Sequence, residues 1–153
     1  MFKDRLIRGA LAGIIGGLLL IGSNFFSQYL LHFAKTNWSE SMSQLIMGHG
    51  VKNAMDLIVS ICFECIWNSF LGVLFVRLVI PEKEGSYLGR ALGLNFIAWF
   101  FLQAIGTMYH IKTIDLVQWQ TVISNWIGIT IFGITMAWLT KKWDKLEAKE
   151  EIS

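Results

Sequence analysis

Four long apolar runs occupy most of this chain, and its basic residues lie between them or at their edges. The hydrocarbon core of a bilayer is about 30 Å thick, and an α-helix crosses it in about 20 residues. Four segments of this length fit without overlap, at residues 9–33, 54–80, 89–108 and 121–140. A hydrophobic content of 54 % with only 16 % charged residues also favours a membrane protein over a soluble domain.

The four segments are predicted to be helices, because backbone groups in lipid must find their hydrogen-bond partners within the protein. Runs of Leu, Ile, Phe and Gly lack the alternation that is typical of barrel strands. The first run follows Lys3, Arg5 and Arg8 as a signal peptide would, but it exceeds the 7–15 apolar residues of such a segment. We therefore expect an all-α, single-domain integral membrane four-helix bundle with an uncleaved first span and a charged tail at 141–153 that continues the fourth helix into water.

The distribution of basic residues predicts the orientation in the membrane. Of the 13 Lys and Arg residues, only Lys35, Lys52 and Lys112 lie in the first and third connections. The other ten lie at the amino end, around the second connection and in the tail. Because cytoplasmic loops carry an excess of Lys and Arg, we expect both termini in the cytoplasm of a multi-pass plasma-membrane protein.

The first external connection, residues 36–53, is long enough to contain structure of its own. Apolar residues recur in it at helical spacing, between Ser and Gln residues: Trp38, Met42, Leu45 and Ile46. This pattern predicts a short amphipathic helix that lies on the outer membrane surface.

Glycines recur every four residues at the predicted cytoplasmic half of the spans. Small residues at this spacing allow helix backbones to approach closely, which promotes helix association in lipid. The sequence therefore predicts tight packing on this side, with homodimerisation through one ridge as the alternative. The glycines concerned are Gly9, Gly13 and Gly17 in the first span, Gly72 in the second, and Gly89 and Gly93 in the third.

Polar side chains inside the spans concentrate in the predicted outer half. An outward-opening polar vestibule is the expected result, with Asn95 alone in the inner half. The intramembrane polar cluster would consist of Asn24, Gln28, Glu64, Asn68, Gln103 and Asn125.

Glu64 is the residue whose position most requires an explanation. A charge near the bilayer centre costs about 2.5–3.5 kcal/mol on insertion scales. The carboxyl group can be protonated and hydrogen-bonded to Asn24, Gln103 or Asn125. Alternatively, a water-filled vestibule can keep it ionised as a proton or cation site.

The cysteines and histidines carry weaker signals. Cys62 and Cys65 form a C-x-x-C pattern inside an apolar helix, where they are expected to be packing residues. His32, His49 and His110 all map to the external side, which gives a weak indication of a metal site. No His-x-x-x-His spacing accompanies them, and neither a metal nor another cofactor is expected.

Several short motifs follow one another from residue 45 to the end of the fourth span. In this order they resemble a family of small, uncharacterised four-span membrane proteins from spore-forming Gram-positive bacteria. The resemblance implies a four-helix plasma-membrane protein and supplies no activity, substrate or catalytic residue. It also implies that the position of Glu64 is polar without being regularly acidic. The motifs are Leu45-Ile46-Met47-Gly48-His49, Asn53, Asp56, Gly72, Ile80-Pro81, Trp99-Phe100-Phe101, Tyr109-His110 and Ser124-Asn125.

Two classes of function are compatible with these features of the sequence. The favoured hypothesis is a scaffold, assembly factor or subunit that acts through helix–helix association, with the lipid bilayer and a second copy or another membrane protein as partners. The alternative is a small proton- or cation-coupled transporter or channel subunit that uses Glu64. An enzyme is not expected, because no Ser/His, Asp/Asp or Cys/His pair lies at matched depth in the spans. Nothing predicts a nucleic-acid partner.

Overall fold

The computed structural model describes residues 4–79, 86–111, 114 and 117–150. Every regular element within these ranges is helical. The last turns of the first and third helices widen into π-helix, at Phe26–Leu30 and Phe75–Val79. The helices are α1 (Arg5–Phe25), α2 (Trp38–Met47), α3 (Ala54–Leu74), α4 (Tyr87–Met108) and α5 (Trp119–Glu150).

Four helical segments are long and apolar enough to cross a membrane: Arg5–Leu30, Ala54–Leu78, Tyr87–Met108 and Trp119–Glu147. For the described residues, the prediction of an all-helical chain with four helices that could span a membrane is confirmed. The first span begins four residues before the predicted start, because the Asp4 side chain accepts a hydrogen bond from the Leu6 amide and caps α1.

Short polar residues also set the starts of the next three helices. Asn37 accepts a hydrogen bond from the Glu40 amide at 2.8 Å, and Asn53 accepts one from the Asp56 amide at 2.9 Å. Ser86 does the same for the Gly89 amide at 3.2 Å. These side chains satisfy amides that have no partner within the helix.

The spans form an open arc rather than a closed ring. Helix α1 is central and packs along both α3 and α5, while α4 packs on α5. Helices α3 and α4 make at most a marginal contact, although α4 meets Phe75–Val79 at the end of α3. A seam therefore runs between α3 and α4.

Glycine brings the backbones of α1 and α3 together. A Cβ atom added to Gly13 would meet the backbone of Asn68, and one added to Gly72 would meet the carbonyl of Gly9. Gly17 lies equally close to the Asn68 side chain. The first-span ridge and Gly72 thus lie in one helix–helix contact.

Gly89 and Gly93 have no comparable neighbour in the part of the chain that the structure describes. Within that part, a Cβ at Gly93 would meet nothing within 4 Å, and one at Gly89 would meet only Ser86 of its own helix cap. The expectation that these glycines pack within the bundle is not met, because α4 presents Ala91 and Asn95 to the interior instead.

Helix α2 packs on α3 and so does not lie only on the surface as predicted. Of the predicted apolar face, Met42 is buried and Leu45 is 41 % exposed, and Ser39 and Ser43 are buried beside Met42. Serine is small enough to allow close approach, and the Ser43 hydroxyl donates to the His49 carbonyl at 2.8 Å. The expected open vestibule is also not present, since Asn24, Glu64, Asn68 and Asn125 are each at most 5 % exposed.

The start of α1 and the last part of α5 meet at the end of the bundle that lies away from α2. Arg8, only 5 % exposed, forms ion pairs with Asp144 at 3.4 Å and with Glu147. Asp144 also lies 3.6 Å from Arg5 and accepts a hydrogen bond from the Tyr87 hydroxyl at 3.1 Å. The start of the tail, expected to be solvated, is therefore helical and anchored to α1 and α4.

Candidate functional site

One asparagine from each span lines a common cavity in the middle of the bundle. None of these four side chains is more than 5 % exposed. The cavity measures about 40 Å³, above the roughly 10–15 Å³ that one water molecule requires. Its polar lining consists of Asn24 from α1, Asn68 from α3, Asn95 from α4 and Asn125 from α5, set among tryptophans and aliphatic side chains.

The asparagines lie at two depths. Asn24 lies beside Gly128 of α5, whereas Asn95 lies beside Gly133 of the same helix. Five residues of α-helix correspond to about 7.5 Å along the axis. At the depth of Asn24, called here the upper tier, there is one long hydrogen bond. The Ser124 hydroxyl donates it to the side-chain carbonyl of Asn24 at 3.4 Å.

The depth of Asn95, called here the lower tier, has hydrogen-bond donors and acceptors that no described residue uses. Neither the amide nitrogen nor the carbonyl oxygen of Asn95 has a hydrogen-bond partner among the described residues, although the side chain is only 2 % exposed. The indole nitrogen of Trp99, one turn further along α4, also has no partner. A buried polar group without a partner costs about 1–3 kcal/mol, so this arrangement favours the uptake of a polar group into the cavity.

Glu64 lies outside the lining of this cavity, on the side of α3 that α2 covers. It is 1 % exposed, and the Ser39 side chain of α2 lies toward its carboxyl group. Neither carboxyl oxygen has a partner in hydrogen-bond geometry among the described residues. The predicted pairing of Glu64 with Asn24, Gln103 or Asn125 is therefore not present, because α2 lies over Glu64 instead.

Gln28 and Gln103 do not join the asparagines. The side-chain carbonyl of Gln28 accepts a hydrogen bond from the side-chain amide of Asn37 at 2.7 Å. This bond connects the end of the first span to the start of α2. The Gln103 amide donates to the Ile114 carbonyl at 3.0 Å. Their expected place in the polar cluster is therefore wrong, because both lie near helix ends, where the returning chain offers backbone partners.

Asn95 is the member of the site that sequence reasoning placed elsewhere, in the inner half by itself. A signal for it does exist in the sequence. Each of the four spans contains an asparagine whose side chain faces this cavity, and such a match across all spans points to a shared interior site.

The histidines occupy turns at the α2 end of the bundle. His32 and His110 adopt left-handed backbone conformations, with φ of 49° and 50°, just beyond the ends of the first and third spans. The His49 ring lies 3.9 Å from the Asp56 carboxylate. Across the described part of the chain, no three His, Cys, Asp or Glu side chains are grouped closely enough to hold a metal ion.

No protein-family model, curated protein or solved structure matches this chain. Its chemistry and exposed surfaces are therefore the grounds for proposing a function.

We expect Glu64→Gln to leave the fold intact, with a free energy of unfolding within about 1 kcal/mol of the wild type or above it. Glutamine has a similar volume, and its amide cannot ionise, so the variant avoids the cost of a buried charge. Denaturation by SDS in mixed micelles measures this. Glu40→Gln, at a more exposed site in α2, serves as the control. A loss above about 3 kcal/mol would instead indicate an ionised carboxylate with a strong partner.

Proposed function

We propose that this protein is a membrane scaffold, assembly factor or subunit that acts by associating with other membrane-spanning helices. The observation that carries the proposal is the free glycine ridge of α4. Gly89 and Gly93 have no other helix close to them among the described residues, and the ridge continues at i+4 spacing through Ile97 and Phe101, which are 68 % and 66 % exposed. Such a ridge allows the backbone of a second helix to approach closely.

A second copy of the chain is the simplest partner for this ridge. The other glycine ridge, on α1, is already used against α3 and cannot serve two helices at once. Two copies related by a twofold axis would place their α4 ridges against each other, because such an interface uses the same surface on both subunits. We therefore propose a homodimer through α4.

We propose further that both termini face the cytoplasm of a bacterial plasma membrane. The ion pairs of Arg8 with Asp144 and Glu147 support a common side for the two ends. The excess of Lys and Arg at this end supports its assignment to the cytoplasm. The bacterial membrane follows the resemblance described above.

The alternative function, a proton- or cation-coupled transporter subunit, is supported by the buried carboxyl group of Glu64. An ionisable residue at this depth is a candidate for ion handling. Liposomes that contain the protein and a pH-sensitive dye test it directly. A proton flux that Glu64→Gln abolishes would support this alternative, and wild-type liposomes no leakier than empty ones would reject it.

We expect Gly93→Leu to weaken self-association in membranes by at least about tenfold while the monomer stays folded. The leucine side chain would fill the space that a partner helix needs, and its Cβ atom meets no described residue within 4 Å. Förster transfer between labelled copies in liposomes, measured against protein density, gives the association constant. Circular dichroism melting checks the fold.

Gly22→Leu is the matched control, since Gly22 is also an exposed glycine in a span with open space around it. Association should be unchanged in this variant. Equal association of Gly93→Leu and wild type would reject the α4 interface, and a wild type that stays monomeric at high density would reject self-association.

A further inference from the structure

The seam between α3 and α4 contains an apolar groove that opens to the membrane. It measures about 450 Å³ and lies between α2, α3 and α4. Its walls are hydrocarbon and aromatic side chains only. They include Met42 and Leu45 from α2, Phe63, Ile66 and Phe70 from α3, and Leu102 from α4.

The groove adjoins the asparagine cavity. Trp67 of α3 and Leu102 of α4 line both spaces. These two side chains form a shared boundary that the head group of a molecule in the groove has to pass to reach the buried amides. The combined site has an apolar outer part and a polar inner part, which is the usual composition of a small-molecule site.

The chemistry of the inner part selects the polar group that it can receive. No described residue that lines the cavity carries a charge. Asn95 offers an unpaired donor and an unpaired acceptor, and Trp99 offers an unpaired donor. A hydroxyl, carbonyl or amide group matches this set, whereas an ionic group would lose its hydration without gaining a counter-charge.

The size of the groove selects a chain rather than a helix. An α-helix with side chains is about 10–12 Å wide, and a spanning helix is about 30 Å long. Such a helix needs several times the volume of the groove. A single hydrocarbon chain, in contrast, can lie along it.

We propose that the groove and the cavity together bind a neutral amphiphile with one hydrocarbon chain and a hydroxyl, carbonyl or amide head group. The molecule reaches the site from the bilayer between α3 and α4. Its chain lies on the apolar wall, and its head group pairs with Asn95. This site is separate from the α4 ridge that we propose for association.

Photolabelling tests the site with two probes that share one chain. The full-length protein in phosphatidylcholine nanodiscs at pH 8 is irradiated with a long-chain alcohol that carries a diazirine, or with the matching fatty acid. We expect saturable labelling by the alcohol at residues of the groove, and at least tenfold weaker labelling by the acid. Excess unlabelled alcohol should compete.

Variants identify the contribution of each part. Asn95→Leu removes the unpaired amide and should reduce labelling by the alcohol at least tenfold. Leu102→Trp should block the passage and produce the same loss. Leu19→Trp, at a half-exposed leucine of α1 outside both spaces, should label like the wild type. Melting curves confirm that each protein is folded.

Three outcomes would overturn the proposal. Labelling that rises linearly with the probe concentration, and that is the same in Asn95→Leu, Leu102→Trp and the wild type, would mean that the probe only contacts the protein from bulk lipid. Equal labelling by the alcohol and the acid would exclude selection by a neutral cavity. Protection of the groove in the dimer, with labelling restored by Gly93→Leu, would show that a second copy covers it. Normal association in Asn95→Leu keeps this test separate from that of the proposed function.

Discussion

Replacing Arg8 with alanine is expected to lower the free energy of unfolding by about 3 kcal/mol. The guanidinium group is almost fully buried and pairs with two carboxylates of α5, at Asp144 and Glu147. Removing one partner from a buried ion pair costs about 3–5 kcal/mol, because the remaining charges lose their counter-charge. We expect the lower value of this range, about 3 kcal/mol, because the side chains of Asp144 and Glu147 are both partly exposed. SDS titration in mixed micelles measures the change.

Arg5 provides the matched control for this prediction. It is on the same helix and approaches the same Asp144, but its side chain is 41 % exposed. Exposed ion pairs contribute about 0–1 kcal/mol, so Arg5→Ala should have a small effect. Arg8→Ala should also make the tail more sensitive to trypsin, whereas Arg5→Ala should not. Equal losses in the two variants would mean that burial does not distinguish them and would contradict this account.

The four spans could be predicted from the sequence because each of them depends on its own composition. Length and hydropathy decide whether a segment can cross a bilayer, whatever its neighbours are. The same reasoning gives the depth of a residue along its helix, as for Glu64. It does not give the direction in which the residue faces.

Facing directions depend on the neighbouring helices, and here the predictions were less successful. Helix α2 buries Ser39 and Ser43 together with Met42, because small side chains allow a close approach to α3, and the Ser43 hydroxyl finds a partner in the His49 carbonyl beyond the end of α2. In a membrane the usual preference for buried apolar faces is weak, since lipid accepts Leu45 as readily as the protein interior does. Amphipathicity therefore does not fix the rotation of such a helix.

The asparagine site could be predicted only in part for the same reason. Asn24, Asn68 and Asn125 were expected in one cluster and do line one cavity. Asn95 was expected by itself in the inner half. It does lie beside Gly133, five residues along α5 from the Gly128 that Asn24 meets, but it lines the same cavity as the other three. That placement depends on the register of two helices, which no single segment encodes.

Substitutions at Gly13 are expected to destabilise the protein in proportion to the size of the new side chain. Even one methyl group would meet the backbone of Asn68, so α1 and α3 must separate to admit it. Overpacking usually costs about 1–3 kcal/mol and more where backbone has to move. We expect a loss of about 1–3 kcal/mol for Gly13→Ala and at least about 3 kcal/mol for Gly13→Leu, measured by SDS titration.

The sign of the alanine effect makes this prediction decisive. In a helix without close neighbours, alanine is more stable than glycine by about 0.5–1 kcal/mol. Gly22, in the same helix, has open space around it, so Gly22→Ala should raise the free energy of unfolding. The two alanine variants should therefore shift stability in opposite directions. Stabilisation by both would mean that the backbones of α1 and α3 do not touch. In that case the asparagine cavity, whose Asn68 side chain is held against Gly17 of α1, would lose its support on that side.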